Sequence, residues 1–242
     1  MLLAEKFQKS GLFLFKWRSY APLIFFLVIF ASFEHFHYPF QSHNLDLIWE
    51  LFCLCIGASG TALRVLTVAF VPASTSGRGT IRPSASRLNT TGMYSLVRNP
   101  LYLGNFFVYA APVLFMRIWW ILLIFILAFI LYYERIIFAE ETFLRERFGE
   151  EYSSWASKTP AFFPRLRNWT KPDLPFSWKI ALSKEYHGAY GLISSLFLME
   201  LASDFCVNKE LKFDLVWTSF FISGTFFYMI IRFLVKKTSF LK

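Results

Sequence analysis

The chain has 242 residues, 56% of them hydrophobic, and a mean hydropathy of +0.45. A water-soluble core of this length cannot hide that much apolar surface, whereas a bilayer can, so a large soluble domain is excluded. The formal charge of +9 reads as Lys and Arg gathered on the cytoplasmic side of a membrane protein, against anionic lipid, rather than as a nucleic-acid surface.

Six hydrophobic segments follow in chain order, at about 20–36, 47–71, 101–116, 118–138, 188–204 and 213–235. A span needs roughly 20 apolar residues. The second, fourth and sixth meet this. The third is short and contains Pro112, and only Arg117 separates it from the fourth, which predicts a tight helical hairpin. The fifth contains Glu200. The first is basic-flanked and has no small-residue cleavage site after it, so it reads as a retained span. Cys53 and Cys55 sit in an apolar run as Cys-Leu-Cys, too close for a good disulfide and too few for a metal site. They and Cys206 read as small apolar residues, and no metal is expected. The expected fold class is all-α: a multi-pass transmembrane helical bundle of about five or six spans.

Loop charge gives the orientation. Residues 1–19 carry Lys6, Lys9, Lys16 and Arg18, and the loop at 37–46 carries no Lys or Arg. The loop at 72–100 carries Arg78, Arg82, Arg87 and Arg98 and no acid, and 139–187 is again rich in Lys and Arg. The alternation predicts both termini on the cytoplasmic side, with the polar mass on that face. Prolines 160, 164, 172 and 175, interleaved with Phe and Trp, predict a folded-back interfacial segment over 158–179.

Two polar stretches are able to carry chemistry. In the first, Arg98-Asn99-Pro100-Leu101-Tyr102-Leu103-Gly104 opens the third segment. Pro100 suits a first helical turn, whose free N–H groups favour an anion. In the second, residues 134–155 extend the fourth segment into the cytoplasm. Glu134 and Glu141 share a helix face, and Glu141 and Arg145 form an i,i+4 pair. Glu140 and Glu141 lie nearest the membrane, where carboxylates are functional candidates. Arg64, inside the second segment, reads either as a snorkelling side chain or as a phosphate holder lining a lipid entry.

RNPLYLG at 98–104, followed after the hairpin by AEETFLRERFGEEYSSWASKTPAFFP, resembles the integral-membrane isoprenylcysteine carboxyl and phospholipid methyltransferases. That family's pattern is Arg-His-Pro-x-Tyr-x-Gly, then Glu-Glu-x-x-Leu, Phe-Gly-x-x-Tyr and a proline-containing segment. It is met here by Arg98, Pro100, Tyr102 and Gly104, by Glu140, Glu141 and Leu144, by Phe148, Gly149 and Tyr152, and by Pro160 and Pro164. The resemblance covers about residues 74–168. It implies an S-adenosylmethionine-dependent enzyme acting on a membrane lipid, with Asn99, Pro100, Tyr102, Gly104, Glu140, Glu141 and Tyr152 around the cofactor. Glu141, Arg98 and Arg64 are then the expected catalytic residues. The division it suggests is N-terminal spans over 1–72, a methyltransferase core over 73–168, and an interfacial segment with C-terminal spans over 169–242.

Asn99 stands where many members have His. It can still hydrogen-bond but cannot titrate near neutral pH, which removes a proton-transfer role there. His35, His37 and His43 are assigned to the opposite face, and His187 to an interfacial position outside the motifs. With no obvious base, an acceptor that is already ionised is favoured. Arg78, Arg82 and Arg87 are the expected phosphate ligands. The longer stretch from TSGRGT to RNPLYLGN resembles a bacterial branch that includes lipid A phosphate O-methyltransferases. The expectation is therefore O-methylation of a lipid phosphate at the bacterial inner membrane. A prenylcysteine carboxylate, a phospholipid amine or a non-catalytic lipid-binding role stand as alternatives.

Overall fold

The structure is a computed structural model and describes residues 2–33, 36, 43–72, 75 and 83–238. These form eight α-helices and a 3-10 turn, Leu166–Asn168, with no strand among them. Four helices are long and apolar enough to cross a membrane: α3 (His43–Ala69), α6 (Trp119–Lys158), α7 (Trp178–Asn208) and α8 (Leu215–Lys237). α5 (Pro100–Phe115) is apolar but shorter. Leu127 and Leu131 on α6, and Phe226 and Phe227 on α8, are exposed. Such faces suit hydrocarbon, because a helix satisfies its own backbone there. The multi-pass helical bundle expected from hydropathy is what the chain forms.

The segments differ from expectation at two ends. The first yields only α2 (Ala21–Ala31), closed where Ser32 turns its hydroxyl back onto the Val28 carbonyl at 2.8 Å. Part of that segment and the loop after it fall outside the described residues. The fifth begins ten residues early, at Trp178 rather than 188. Ser177 caps it by accepting from the Ile180 N–H at 3.3 Å, so the helix starts in a polar turn that hydropathy scores as loop.

The helical hairpin is present. α5 contains Pro112 and ends at Phe115, capped by Met116, and Arg117 takes a left-handed conformation (φ 56°) before α6 starts. The Arg117 guanidinium pairs with buried Asp46 on α3. Nearby, Trp217 donates to Glu50 at 2.7 Å, and Asp46, Glu50 and Glu200 bring carboxylate oxygens within 4.8 Å of one another. Glu50 lies about 21 Å along α3 from Arg64, so this acidic group belongs to the far end of the bundle.

α3 packs most extensively against α5 and α7. A Cβ on Gly60 would meet the Gly104 carbonyl oxygen at 2.5 Å, and one on Gly104 would meet Arg64 Cγ at 2.5 Å. Two glycines thus let the backbones touch, as small residues do at membrane helix interfaces. α1 (Leu3–Trp17) lies along α6. Tyr132 donates to the Leu14 carbonyl at 3.0 Å, and the Arg135 guanidinium stands 3.5 Å over the Phe7 ring.

α6 has 40 residues, about 60 Å, against a hydrocarbon core of roughly 30 Å. Its second half must leave the membrane, and Gly149 (φ 52°) breaks its geometry. The chain then folds back as an extended strap over 159–177. Pro164, Pro172 and Pro175 supply no N–H to a helix there. Its backbone is satisfied instead by α4 (Met93–Leu96) and its flanks. Arg98 N–H donates to the Pro160 carbonyl at 2.8 Å, Arg165 N–H to Leu96 at 2.9 Å, and Gly92 N–H to Thr170 at 3.0 Å.

Candidate active site

α1, α3, α5, α6, α7 and the 83–99 segment enclose one cavity of about 730 Å³. Its lining runs from Pro100 to Pro112 along α5, about 18 Å into the apolar part of the bundle. At its polar end the two sequence motifs meet. Pro100 starts α5 as expected, and the first turn of that helix carries Tyr102 toward α6. Tyr102 donates to Glu140 at 2.8 Å, and Arg18 from the end of α1 stands 3.6 Å from the same carboxylate. Arg98 pairs with Glu141 at 3.2 Å. Glu141 thus finds its cation across the chain rather than at Arg145, and Glu134 is exposed beside Arg135, away from the cavity.

Arg98 Nε, Glu141 Oε1 and Tyr152 Oη are buried and fall short of strict hydrogen-bond geometry, with the Tyr152 hydroxyl set against both Arg98 and Glu141. Buried polar atoms are almost always satisfied, so polar groups that stop short of one another in a buried corner call for an explanation. Here a cationic N–H, a carboxylate oxygen and a hydroxyl line one space. That donor set matches a zwitterionic amino-acid group, which needs one cation for its carboxylate and one anion for its ammonium. Asn99 donates to the Ala161 carbonyl at 3.0 Å, tying the strap to this corner. Tyr94 lines the same end, and burial, with the Glu140 carboxylate second, holds its hydroxyl above the ordinary tyrosine range.

One turn further along α5, the adjoining wall of the cavity is built around Arg64. Its guanidinium makes a two-pronged contact with Glu185 of α7, at 2.7 and 2.9 Å, and donates to Asn105 at 2.5 Å. Asn105 in turn accepts Arg64 and donates to Tyr133 at 3.0 Å. Arg64 therefore lines the cavity but does not snorkel, and a carboxylate already occupies its fork.

Of the residues singled out from sequence, Arg64, Arg87, Arg98, Asn99, Pro100, Tyr102, Glu140, Glu141 and Tyr152 line this cavity. Gly104 does not, since its role is the close approach to α3. Arg78 and Arg82 lie outside the described residues. Arg87 is in the lining, with Asp173 of the strap 2.5 Å from its Nη2. His187 also stands in the cavity lining. Sequence reading missed Arg18, Glu185, Lys184 and Tyr94. Arg18 and Lys184 counted only as loop charge, and nothing local marks Glu185 as the partner of a residue on another helix.

A family model described as Phospholipid methyltransferase matches residues 52–151. That stretch holds α3 from Phe52, the polar loop, the hairpin and the Glu140–Glu141 turn. Over 151 residues, 60% of this chain, the sequence is 31% identical to the cobalt-zinc-cadmium resistance protein CzcN of Cupriavidus metallidurans, covering 67% of that protein. It is 34% identical over 113 residues, 47% of this chain, to the nickel-cobalt-cadmium resistance protein NccN of Alcaligenes xylosoxydans xylosoxydans, spanning half of that protein's length. The chain belongs to the phospholipid methyltransferase family. No solved structure matches it.

Proposed function

We propose that this protein is an S-adenosylmethionine-dependent methyltransferase that O-methylates the phosphate of a membrane lipid. The observation that carries the reading is the corner where buried Arg98, Glu141 and Tyr152 gather a cation, a carboxylate and a hydroxyl inside a cavity that continues into the apolar bundle. Arg98 would take the cofactor's carboxylate, Glu141 its ammonium, and Tyr152 a hydrogen bond beside them. Tyr102 and Arg18 fix Glu140, and Asn99 holds the strap over the corner. When bound, the cofactor supplies a sulfonium methyl open to in-line displacement. The protein's part is to orient that methyl, exclude water and present the acceptor oxygen from the membrane side. The three sequence segments act as one unit in this reading, with both termini and the cavity on the cytoplasmic side of a bacterial inner membrane.

The names of the two relatives fit a phosphate acceptor. Methylating a phosphate monoester removes one negative charge and one ionised oxygen. Hard and borderline divalent cations bind such oxygens, so methylated head groups would adsorb less metal. An amine acceptor is the second reading. His187 in the cavity lining favours it, because an amine must shed a proton before it attacks.

Two measurements test this. The purified protein should bind S-adenosylmethionine, and Glu141→Ala should weaken that binding by at least ~10-fold, the loss expected for a charge-assisted contact. Lipid mass spectrometry of cells with and without the gene should show a one-methyl gain on a phosphate-bearing lipid. A gain on phosphatidylethanolamine nitrogen would establish the amine reading instead.

A further inference from the structure

We propose that the outer face of the strap docks on the anionic surface of the host bilayer, with Phe163, Leu166 and Trp169 set into the headgroup layer and Arg165, Arg167 and Lys171 against lipid phosphates. The inference concerns the face turned away from the cavity and stands whatever the cavity binds.

The strap has two unlike faces. Its inner face is pinned along its length. At one end the Phe162 ring stands 6.4 Å from both Phe106 and Phe129, rings of the α5–α6 hairpin. In the middle the Thr170 N–H donates to the Ser95 hydroxyl at 3.0 Å, and Pro172 lies 3.2 Å from where a Cβ on Gly92 would stand. At the other end the Ser177 N–H donates to the Ala69 carbonyl at 2.9 Å, and the Phe176 ring meets Phe70 edge-on at 5.3 Å. Ala69 is the last residue of α3, and residues 92–98 lead directly into α5. The strap therefore runs along the ends of the spans, at the level of the lipid head groups.

The outer face is apolar and basic together. Phe163 is 83% exposed, Leu166 76% and Trp169 52%. The 3-10 turn Leu166–Asn168 brings positions three apart onto one side, so Leu166 and Trp169 point the same way. Arg165, Arg167 and Lys171 are exposed among them. None of the three pairs with a carboxylate among the described residues, and the strap's one acid, Asp173, faces Arg87. An anionic bilayer meets both halves of this pattern. Aromatic and aliphatic side chains settle at headgroup level, and each Lys or Arg gains from the negative surface potential. A soluble partner would have to displace lipid to reach a face at this level. Docking holds from outside the same strap that Arg98 and Asn99 hold from inside, through Pro160 and Ala161.

The test reads where the strap sits. Full-length protein with Cys53→Ala, Cys55→Ala and Cys206→Ala carries a single bimane label at Leu166→Cys. Glu150→Cys, beside the break at Gly149, takes the label as the water-facing control. Each protein is placed in nanodiscs of dioleoyl phosphatidylcholine, with or without dioleoyl phosphatidylglycerol. Quenching by a nitroxide on the lipid chains is compared with quenching by aqueous acrylamide. The Leu166 label should be quenched mainly from the lipid side in anionic discs, and less so in neutral discs or at high salt. Arg165→Gln with Arg167→Gln and Lys171→Gln should lower the ratio of docked to undocked label by ~10-fold or more, since each basic side chain at an anionic surface is worth roughly fivefold. Arg165→Lys with Arg167→Lys should keep the docking, because the attraction follows charge. The Glu150 label should follow acrylamide throughout. Acrylamide quenching of the Leu166 label in both membranes overturns the inference and leaves the face to a soluble partner. Lipid-side quenching that ignores phosphatidylglycerol, salt and the three cations overturns it too, because apolar contact alone would then hold the strap.

Discussion

At the scale of single residues, the cavity is organised by ion pairs that cross between helices. The Arg64–Glu185 contact is well enclosed on the carboxylate side, with Glu185 side-chain exposure at 6%. Removing one partner strands the other charge in a poorly solvated place. Glu185→Ala should therefore destabilise the protein by about 3 kcal/mol, while the double exchange Arg64→Met with Glu185→Leu should recover most of that loss. Thermal unfolding in detergent, followed by circular dichroism, measures both. Tyr94 adds a pH dependence. Its hydroxyl titrates above the ordinary value of 10.0, so the neutral form is the one the fold accommodates. The stability linked to it is complete below pH 10 and is lost as pH rises through the higher folded value. Tyr94→Phe should remove that alkaline decline, which a melting series from pH 9 upward would show.

At the scale of elements, two close contacts set where the functional side chains stand. Gly104 lets α5 touch α3, and Gly104→Leu would force its side chain into Arg64 Cγ and the Gly60 carbonyl. Overpacking of this kind costs about 1–3 kcal/mol. The variant should melt earlier, because the clash falls on the close α3–α5 contact. α1 brings Arg18 to Glu140, so Arg18→Met should weaken cofactor binding although the residue lies outside the family-matched stretch. Thermal unfolding measures the first effect and equilibrium binding the second. The helices themselves were largely legible in the sequence, since apolar runs of this length have few other stable forms. The first turns of α7 were not, because Lys179, Lys184, Glu185 and His187 dilute the hydropathy that would announce them. The motif residues were legible by spacing, and seven of them stand on one cavity: Arg98, Asn99, Pro100, Tyr102, Glu140, Glu141 and Tyr152. Their partners were not. The loop around Arg87 carries no acid of its own, and its counter-charge, Asp173, arrives 86 residues later on the strap. Likewise Glu185 is 121 residues from Arg64.

At the scale of the whole molecule, an extended strap and a lipid-facing bundle close on the same space from opposite directions. Residues 92–98 hold the strap through Gly92, Leu96 and Arg98, and the same stretch presents Arg98 to the cavity. Whatever binds Arg98 and Asn99 therefore also sets how firmly the strap is held. Arg165 and Arg167 lie on it, each followed by a residue other than proline, which makes the strap a protease-readable record of occupancy. Saturating S-adenosylmethionine should slow tryptic cutting at these two positions, and Asn99→Ala, which removes the tie to Ala161, should speed it even without ligand.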